Sequence, residues 1–412
     1  MIIDGAEETQ LRSLSLSGVS LQSFATDVVI DSCMIQSTDI AGVYIDGKSS
    51  ATLTGNTIQN CSQWGVYAKT GSMVTVGGST APESNTVRNN EIGIQLEGIG
   101  TVDQPVLVIG NTIQNNAQDG IVARLGTVAT IGGTASGQAN SIMNNGTGIS
   151  LFDTNTYAKI VNNTIQGNQG TAGVYIDGGQ ADIADNTVQH NLNWGIYGKP
   201  GAQLTIGGAT PADRNVVQSN KIGIQLEGVG TIRQPASIAG NTISQTTEDG
   251  IALAAGSVVI VGGQSISRGN TISDNAQVGL PIYGSNTNVT VQNNTIQKSG
   301  SSGVFIQGGV SAVSLDANLI TSNHPQGVYI QNNTTLAQIT VQKNRISDNQ
   351  GAVYSTGPTT EIVFLNNLIY RNNKGDRGLQ LSGDATFINN TITGHSGYAL
   401  LSFGHDKTIK VY

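Results

Sequence analysis

Two columns of side chains hold the residues of this chain best suited to chemistry. Tyr44, Tyr67 and Gln95 stand at matching positions of successive short segments, each two residues past a glycine. Tyr175, Tyr197 and Gln225 repeat the series, and Phe305, Tyr329 and Tyr354 follow. Two positions further on come Asp46, Lys69, Glu97 and Arg124, then Asp177, Lys199 and Glu227. Trp64 and Trp194 each precede the opening glycine. Aromatic faces accept the apolar C–H surface of a sugar ring, and amides and charges beside them take its hydroxyls. The expected site is therefore a glycan-binding face of Tyr44, Trp64, Tyr67, Gln95, Tyr175, Trp194, Tyr197 and Gln225, with rings in a flat stack about 5 Å apart. The same columns also fit a sheet with no ligand, because cross-strand aromatic and opposite-charge pairs each add about 0.2–1 kcal/mol.

Catalysis on this face would have to use Lys69, Asp46 and Glu97, or Lys199, Asp177 and Glu227. Asp46 and Glu97 are two repeats apart, about 9.6 Å by strand spacing, near the upper limit for an inverting glycosidase pair. Lys69 between them is expected to hold both ionised, which suits neither as a general acid. A lysine base with an acidic neighbour suits β-elimination on a uronate instead. His190, His324, His395 and His405 fall in unrelated registers and read as surface turn residues. No Cys/His cluster has zinc spacing, the Gly-Gly pairs lack a calcium-repeat Asp, and no Gly-rich loop ends in Lys-Ser/Thr. Neither metal nor cofactor is expected.

The elements that position these residues are written in a repeat. An Asn followed two residues later by Ile or Val recurs from Asn56 through Asn85, Asn111 and Asn140 to Asn390, at steps of 23 to 29 residues. A period of about two dozen residues, with a β-branched column and Gly or Asn at the breaks, marks a β-solenoid. Three short strands fit each coil. The first ends three residues before the Asn, with Leu53, Val108 and Ile160 inward; the second is the Thr-Ile segment; the third follows the glycine, as in Gly65-Val66-Tyr67. Asn side chains at one bend, stacked about 4.8 Å apart, are expected to bond one another. Cys33 falls in this column and Cys61 five residues past Asn56, so they are not stacked neighbours and no disulfide is expected.

A longer repeat overlies the short one. Asn56 and Asn186, Trp64 and Trp194, and Gly132 and Gly262 are each 130 residues apart. The expected organisation is one solenoid domain over 1–412, duplicated as 34–163 and 164–293 and blurred in 294–412. The longest coils insert six residues at Ser79–Ser84, Thr134–Ala139, Ala209–Arg214 and Gln264–Gly269; others lengthen the opposite turn at Gly98–Gln104 and Gly228–Gln234. These loops would wall a groove whose floor (Thr75, Leu107, Thr130, Thr205, Ser237, Ile260) holds no acid, base or nucleophile. Lys159 and Asp182 read as an ion pair on the first strand.

This pattern resembles the right-handed parallel β-helix family, shared by pectate-lyase-like enzymes, carbohydrate-processing repeats, phage tailspikes and large bacterial surface proteins. The resemblance implies an all-β solenoid of about 14–16 coils and an extracellular or cell-surface location. Charged residues make up 11% of the chain, under half the usual share, and the net charge is −8. With no basic stripe, nucleic acid is not the expected partner. No run of about 18 apolar residues or signal peptide is visible. Repeat-like sequence at both ends points to a piece of a longer protein or to irregular caps. The leading expectation is a non-catalytic rod that binds or presents to glycans. The alternatives are a polysaccharide lyase or glycoside hydrolase on an acidic polysaccharide, and a purely structural spacer.

Overall fold

The computed structural model describes residues 1–331, 338–356, 361–372, 377–403 and 408–412. The chain divides into two compact units, 1–197 and 198–412. Each is an all-β solenoid with three short strands per coil, and every strand pairing among the described residues is parallel. In the first unit, Met73–Gly77 pairs with Ser50–Thr54, Thr86–Arg88 with Thr57–Gln59, and Trp64–Ala68 with Ala41–Ile45. The expected fold class is the observed one.

The core is a set of stacked columns. Ile35, Ile58, Val87, Ile113, Ile142, Ile165 and Val188 are fully buried, as are Leu53, Val108 and Ile160 from the first strand. Alternation sends every second side chain of each strand inward, so the β-branched column is the interior of the second-strand sheet.

In the first unit the asparagine column is a hydrogen-bonded ladder. The Asn56 side-chain amide donates to Asn85 Oδ1 (2.9 Å) and to the Ile30 carbonyl (2.7 Å), while its own oxygen accepts from the Cys33 N–H (2.9 Å). Asn85, Asn111 and Asn140 repeat the pattern on the coils that follow. A second ladder, not anticipated from the sequence, lies five residues past the first. It starts at Cys61, whose N–H donates to Asn90, and continues through Asn116, Asn145, Asn168 and Asn191. Asn60, Asn89, Asn115, Asn144 and His190, just before ladder residues, adopt left-handed backbone at φ of 54–57°. The ladder thus ties bends that would otherwise leave buried backbone groups unpaired. Cys33 and Cys61 are both free and buried, one at the head of each ladder.

The glycine that opens the third strand answers to crowding, and one expectation about turns is corrected. A methyl group at Gly65 would stand 2.6 Å from the Gly93 carbonyl oxygen and 2.9 Å from Asn90 Nδ2, so the side chain is excluded by the closeness of the next coil. His395 is not a surface turn residue: it occupies the second ladder, where its Nδ1 accepts from the Asn372 N–H (3.3 Å). His190 and His324 are exposed, and His405 lies outside the described residues.

Replacing Asn140 by Ala removes the acceptor of the Asn111 N–H (2.9 Å) and the donors to Val108 O (2.7 Å) and Asn163 Oδ1 (2.9 Å). At about 1–3 kcal/mol for each buried group left unpaired, Asn140→Ala should cost about 3 kcal/mol or more in urea unfolding. A cost near zero would show the ladder to be dispensable.

Candidate functional site

The outward face of the third-strand sheet brings the expected residues together. Register fixes the column in the first unit: Ile2, Ser20, Tyr44, Tyr67, Gln95, Val122, Ser150 and Tyr175 are successive partners. Val122 and Ser150 thus separate the first aromatic run from the second. The next column runs from Glu97 to Arg124, Phe152 and Asp177.

The side chains are more tightly engaged than a free platform requires. Tyr67, Gln95 and Glu97 are buried, as is Gln225; Tyr44, Trp64, Tyr175, Trp194 and Tyr197 are half-buried. Trp64 lies against Tyr67 at 4.4 Å between centroids, and its indole N–H donates to Gln95 Oε1 (2.9 Å). The flat stack expected at Tyr44 and Tyr67 is an edge-to-face pair, 5.6 Å apart at 73°. Tyr175 and Tyr197 are likewise tilted, at 57°.

Carboxylates hold three of these phenols. The Tyr44 hydroxyl donates to Asp46 (2.9 Å), that of Tyr175 to Asp177 (3.0 Å), and that of Tyr67 to Glu97 on the next coil (2.6 Å). Glu97 also accepts from Gln95 Nε2 (2.7 Å) and Arg124 Nε (2.6 Å). Its counter-ion is therefore Arg124, not Lys69; Lys69 pairs with Asp46 at 3.4 Å.

Burial pushes the Glu97 carboxyl up, but the bonds from Tyr67, Arg124 and Gln95 outweigh it and leave its pKa below the ordinary value. Burial and the bond to Glu97 push the Tyr67 phenol up to about 12. Burial also raises Asp46, yet the Gly47 N–H, the Tyr44 hydroxyl and Lys69 bring it below its usual value. Lys69 is raised by its contacts with Tyr44 and Asp46. At neutral pH the acids here are ionised and Lys69 is charged, so these groups supply neither a ready proton donor nor a free base.

In the second copy, Lys199 follows the strand Trp194–Gly198, and Gln225 donates to Glu227. Ala252 and Ala254 stand where the first copy has Val122 and Arg124. Two carboxyls passed over in the sequence also face this sheet. Asp119 accepts from the Ser150 hydroxyl and Asp249 from the Val278 N–H (2.9 Å); burial raises both above their usual pKa. They are 130 residues apart, a spacing that marks them as copies.

Beside the first aromatic run lies a concave pocket of about 550 Å³. Tyr44, Trp64, Tyr67, Met1, Ile2, Ile40, Ser20 and Gln22 are among the residues that line it. Ile2 and Ile40 are exposed, and Gln22 donates to Ser20 Oγ (2.9 Å). Among the described residues no cluster of three His, Cys, Asp or Glu could hold a metal.

Beside the first strand the loops are packed on one another: Gly110 N–H donates to Gln138 O (2.9 Å), and Gln138 Nε2 to Ser79 Oγ (3.2 Å). The outward column of that strand continues from Thr130 to Lys159 and Asp182. The expected ion pair between those two is not formed; Asp182 accepts from the Tyr157 hydroxyl (2.7 Å), and Lys159 is exposed.

A family model described as right handed beta helix region matches residues 12–104, 92–266, 172–336 and 257–412. No curated protein sequence matches the chain. Among solved structures, the A-module of a mannuronan C-5 epimerase from Azotobacter vinelandii is 15% identical, with 95% of this chain and 90% of that one covered and a TM-score of 0.31. A periplasmic alginate epimerase is 12% identical, covering 96% and 77%, with a TM-score of 0.35. A surface adhesin of Streptococcus pneumoniae is 11% identical, covering 94% and 85%, with a TM-score of 0.26. At these values the likeness carries no functional argument.

The opposite shifts of Glu97 and Asp119 predict opposite responses to acid. A lowered folded pKa contributes stability above the ordinary carboxylate value, lost as pH falls through the folded one; a raised pKa costs stability at neutral pH, relieved in acid. Glu97→Gln should therefore lower the melting temperature at pH 7, with the deficit shrinking toward about pH 4. Asp119→Asn, which keeps the acceptor for Ser150, should leave it equal or higher at pH 7. Equal losses in both variants would contradict this assignment.

Proposed function

The chain belongs to the right-handed beta helix family, and from that premise we propose that it is a non-catalytic solenoid that holds a polysaccharide against its third-strand sheet. The observation that carries the reading is the pocket at Tyr44, Trp64 and Tyr67: a concave, largely apolar surface with aromatic walls and a few hydroxyls and amides. That combination suits a sugar, whose C–H faces seek rings and whose hydroxyls need directional partners. Saturation of Glu97 and Asp46 by hydrogen bonds and ion pairs supports binding over turnover. A polysaccharide or cell-surface glycan as partner goes with an extracellular or surface location.

The enzymatic alternative, a lyase or hydrolase, retains one supporting observation: Asp119 is shifted toward its protonated form on the same sheet as ionised Glu97, a separation that acid and base roles require. Incubation with uronate polymers and a search for unsaturated product tests the lyase; Lys69→Ala and Lys199→Ala should abolish any such signal. Reducing-end release from neutral polymers, lost in Asp119→Asn, tests the hydrolase.

A glycan array decides between binding and a structural spacer. Wild type should retain at least one glycan class, and Tyr44→Ala with Trp64→Ala should weaken it at least about tenfold, a loss of about 1.4 kcal/mol. Unaltered binding in the double variant, or none in wild type, would remove the pocket from consideration.

A further inference from the structure

We infer that the second ladder runs through a binding site for one ordered water between Asn275 and Ser299. Both residues lie in the second unit. Thr271–Ser273 pairs in register with Thr295–Gln297, which sets Asn275 and Ser299 at matching positions of successive coils, two residues past each strand.

Two buried polar atoms meet there. Asn275 is 1% exposed and Ser299 2%, and neither Asn275 Nδ2 nor Ser299 Oγ has a hydrogen-bond partner among the described residues. Buried groups of this kind are costly unless something pairs with them. The Asn275 amide cannot turn to find another partner. Its oxygen accepts from the Thr246 N–H (3.3 Å) and hydroxyl (2.8 Å) on the preceding coil, so its N–H₂ points toward Ser299.

The next step of the ladder shows what serine fails to supply. The Asn323 amide donates to Asn349 Oδ1 (3.1 Å) and to the Ile296 carbonyl (3.1 Å), and Asn349 Oδ1 also accepts from the Asn323 N–H (2.8 Å). From Ser299 only the N–H reaches forward, to Asn323 Oδ1 (3.1 Å). A donor from Asn275, a hydroxyl that can donate or accept, and an accepting position on Asn323 Oδ1 therefore face one place. Serine is shorter than asparagine by two heavy atoms, about the space of one water. Coils are about 4.8 Å apart, and two hydrogen bonds of about 2.9 Å meeting near the tetrahedral angle span about that distance. The Asn275 N–H₂ disfavours a cation and the Asn323 oxygen an anion, which leaves a neutral ligand that both donates and accepts.

A crystal structure of the intact chain, at a resolution that shows ordered waters, tests this. A water should lie within about 3.2 Å of both Asn275 Nδ2 and Ser299 Oγ. In Ser299→Asn the amide should take its place, and the melting temperature should equal or exceed that of wild type. Ser299→Ala takes one partner from the water and should melt lower. The inference is overturned if wild type shows an ion there, no water, or a direct bond from Asn275 Nδ2 to Ser299 Oγ. It also fails if Ser299→Asn keeps the water or melts lower than wild type, or if Ser299→Ala melts as wild type does.

Discussion

The pairing of buried polar groups at the bends is the constraint on which everything else in this fold depends. Each coil turns sharply, and several turns use left-handed backbone at residues other than glycine, a conformation that costs about 1–3 kcal/mol each. The buried amides and carbonyls there have no strand to pair with. Asparagine answers both needs: its oxygen accepts from the preceding coil and its nitrogen reaches forward to the next coil and back to a carbonyl. Because the ladder fixes each bend against its neighbour, coil lengths of 23 to 29 residues are tolerated without loss of register. All the variation goes into loops such as Ser79–Ser84, whose Thr80 and Glu83 cap a short 3₁₀ turn.

Register, once fixed, turns a repeat into a surface. Tyr44 lies beside Tyr67, and Glu97 beside Arg124, because the strands cannot slip. One backbone therefore presents different chemistry as its outward residues change. Tyr44 and Tyr175 give their hydroxyls to an acid two residues on and Tyr67 to Glu97 on the next coil, whereas Tyr329 is followed two residues on by Gln331 and Tyr354 by Thr356.

The fold was legible because its signal is periodic: the Asn, the Ile or Val two residues later and the opening glycine recur often enough to fix one register. The inward residues of all three strands follow from that alignment. The second ladder was equally present, at Asn90, Asn116 and Asn145, but Cys61 at its head and Thr246 and Ser299 within it disguise the column. Side-chain choices were less legible. Alternation places Lys159 beside Asp182 and Lys69 within reach of Glu97, yet Tyr157 and Arg124 hold those carboxylates. Which of several donors captures an acid depends on side-chain reach across coils, and sequence spacing does not report it. The pocket was invisible for the same reason: it needs Ile2, Ile40 and Trp64 from three different coils.

The ladders have a direction. In both, the side-chain N–H₂ points toward the following coil and the oxygen toward the preceding one, as from Asn56 to Asn85 and from Asn90 to Asn116 in the first unit, and from Asn318 to Asn344 in the second. A row of amides aligned head to tail adds its dipoles, as the peptide units of an α-helix do. β-Sheets ordinarily have little net dipole. Here the side chains give each unit an electrical polarity, partially negative where the first amide oxygens lie and partially positive where the last amide hydrogens do. An all-β structure thereby acquires an axial field like that of a helix, built from asparagine.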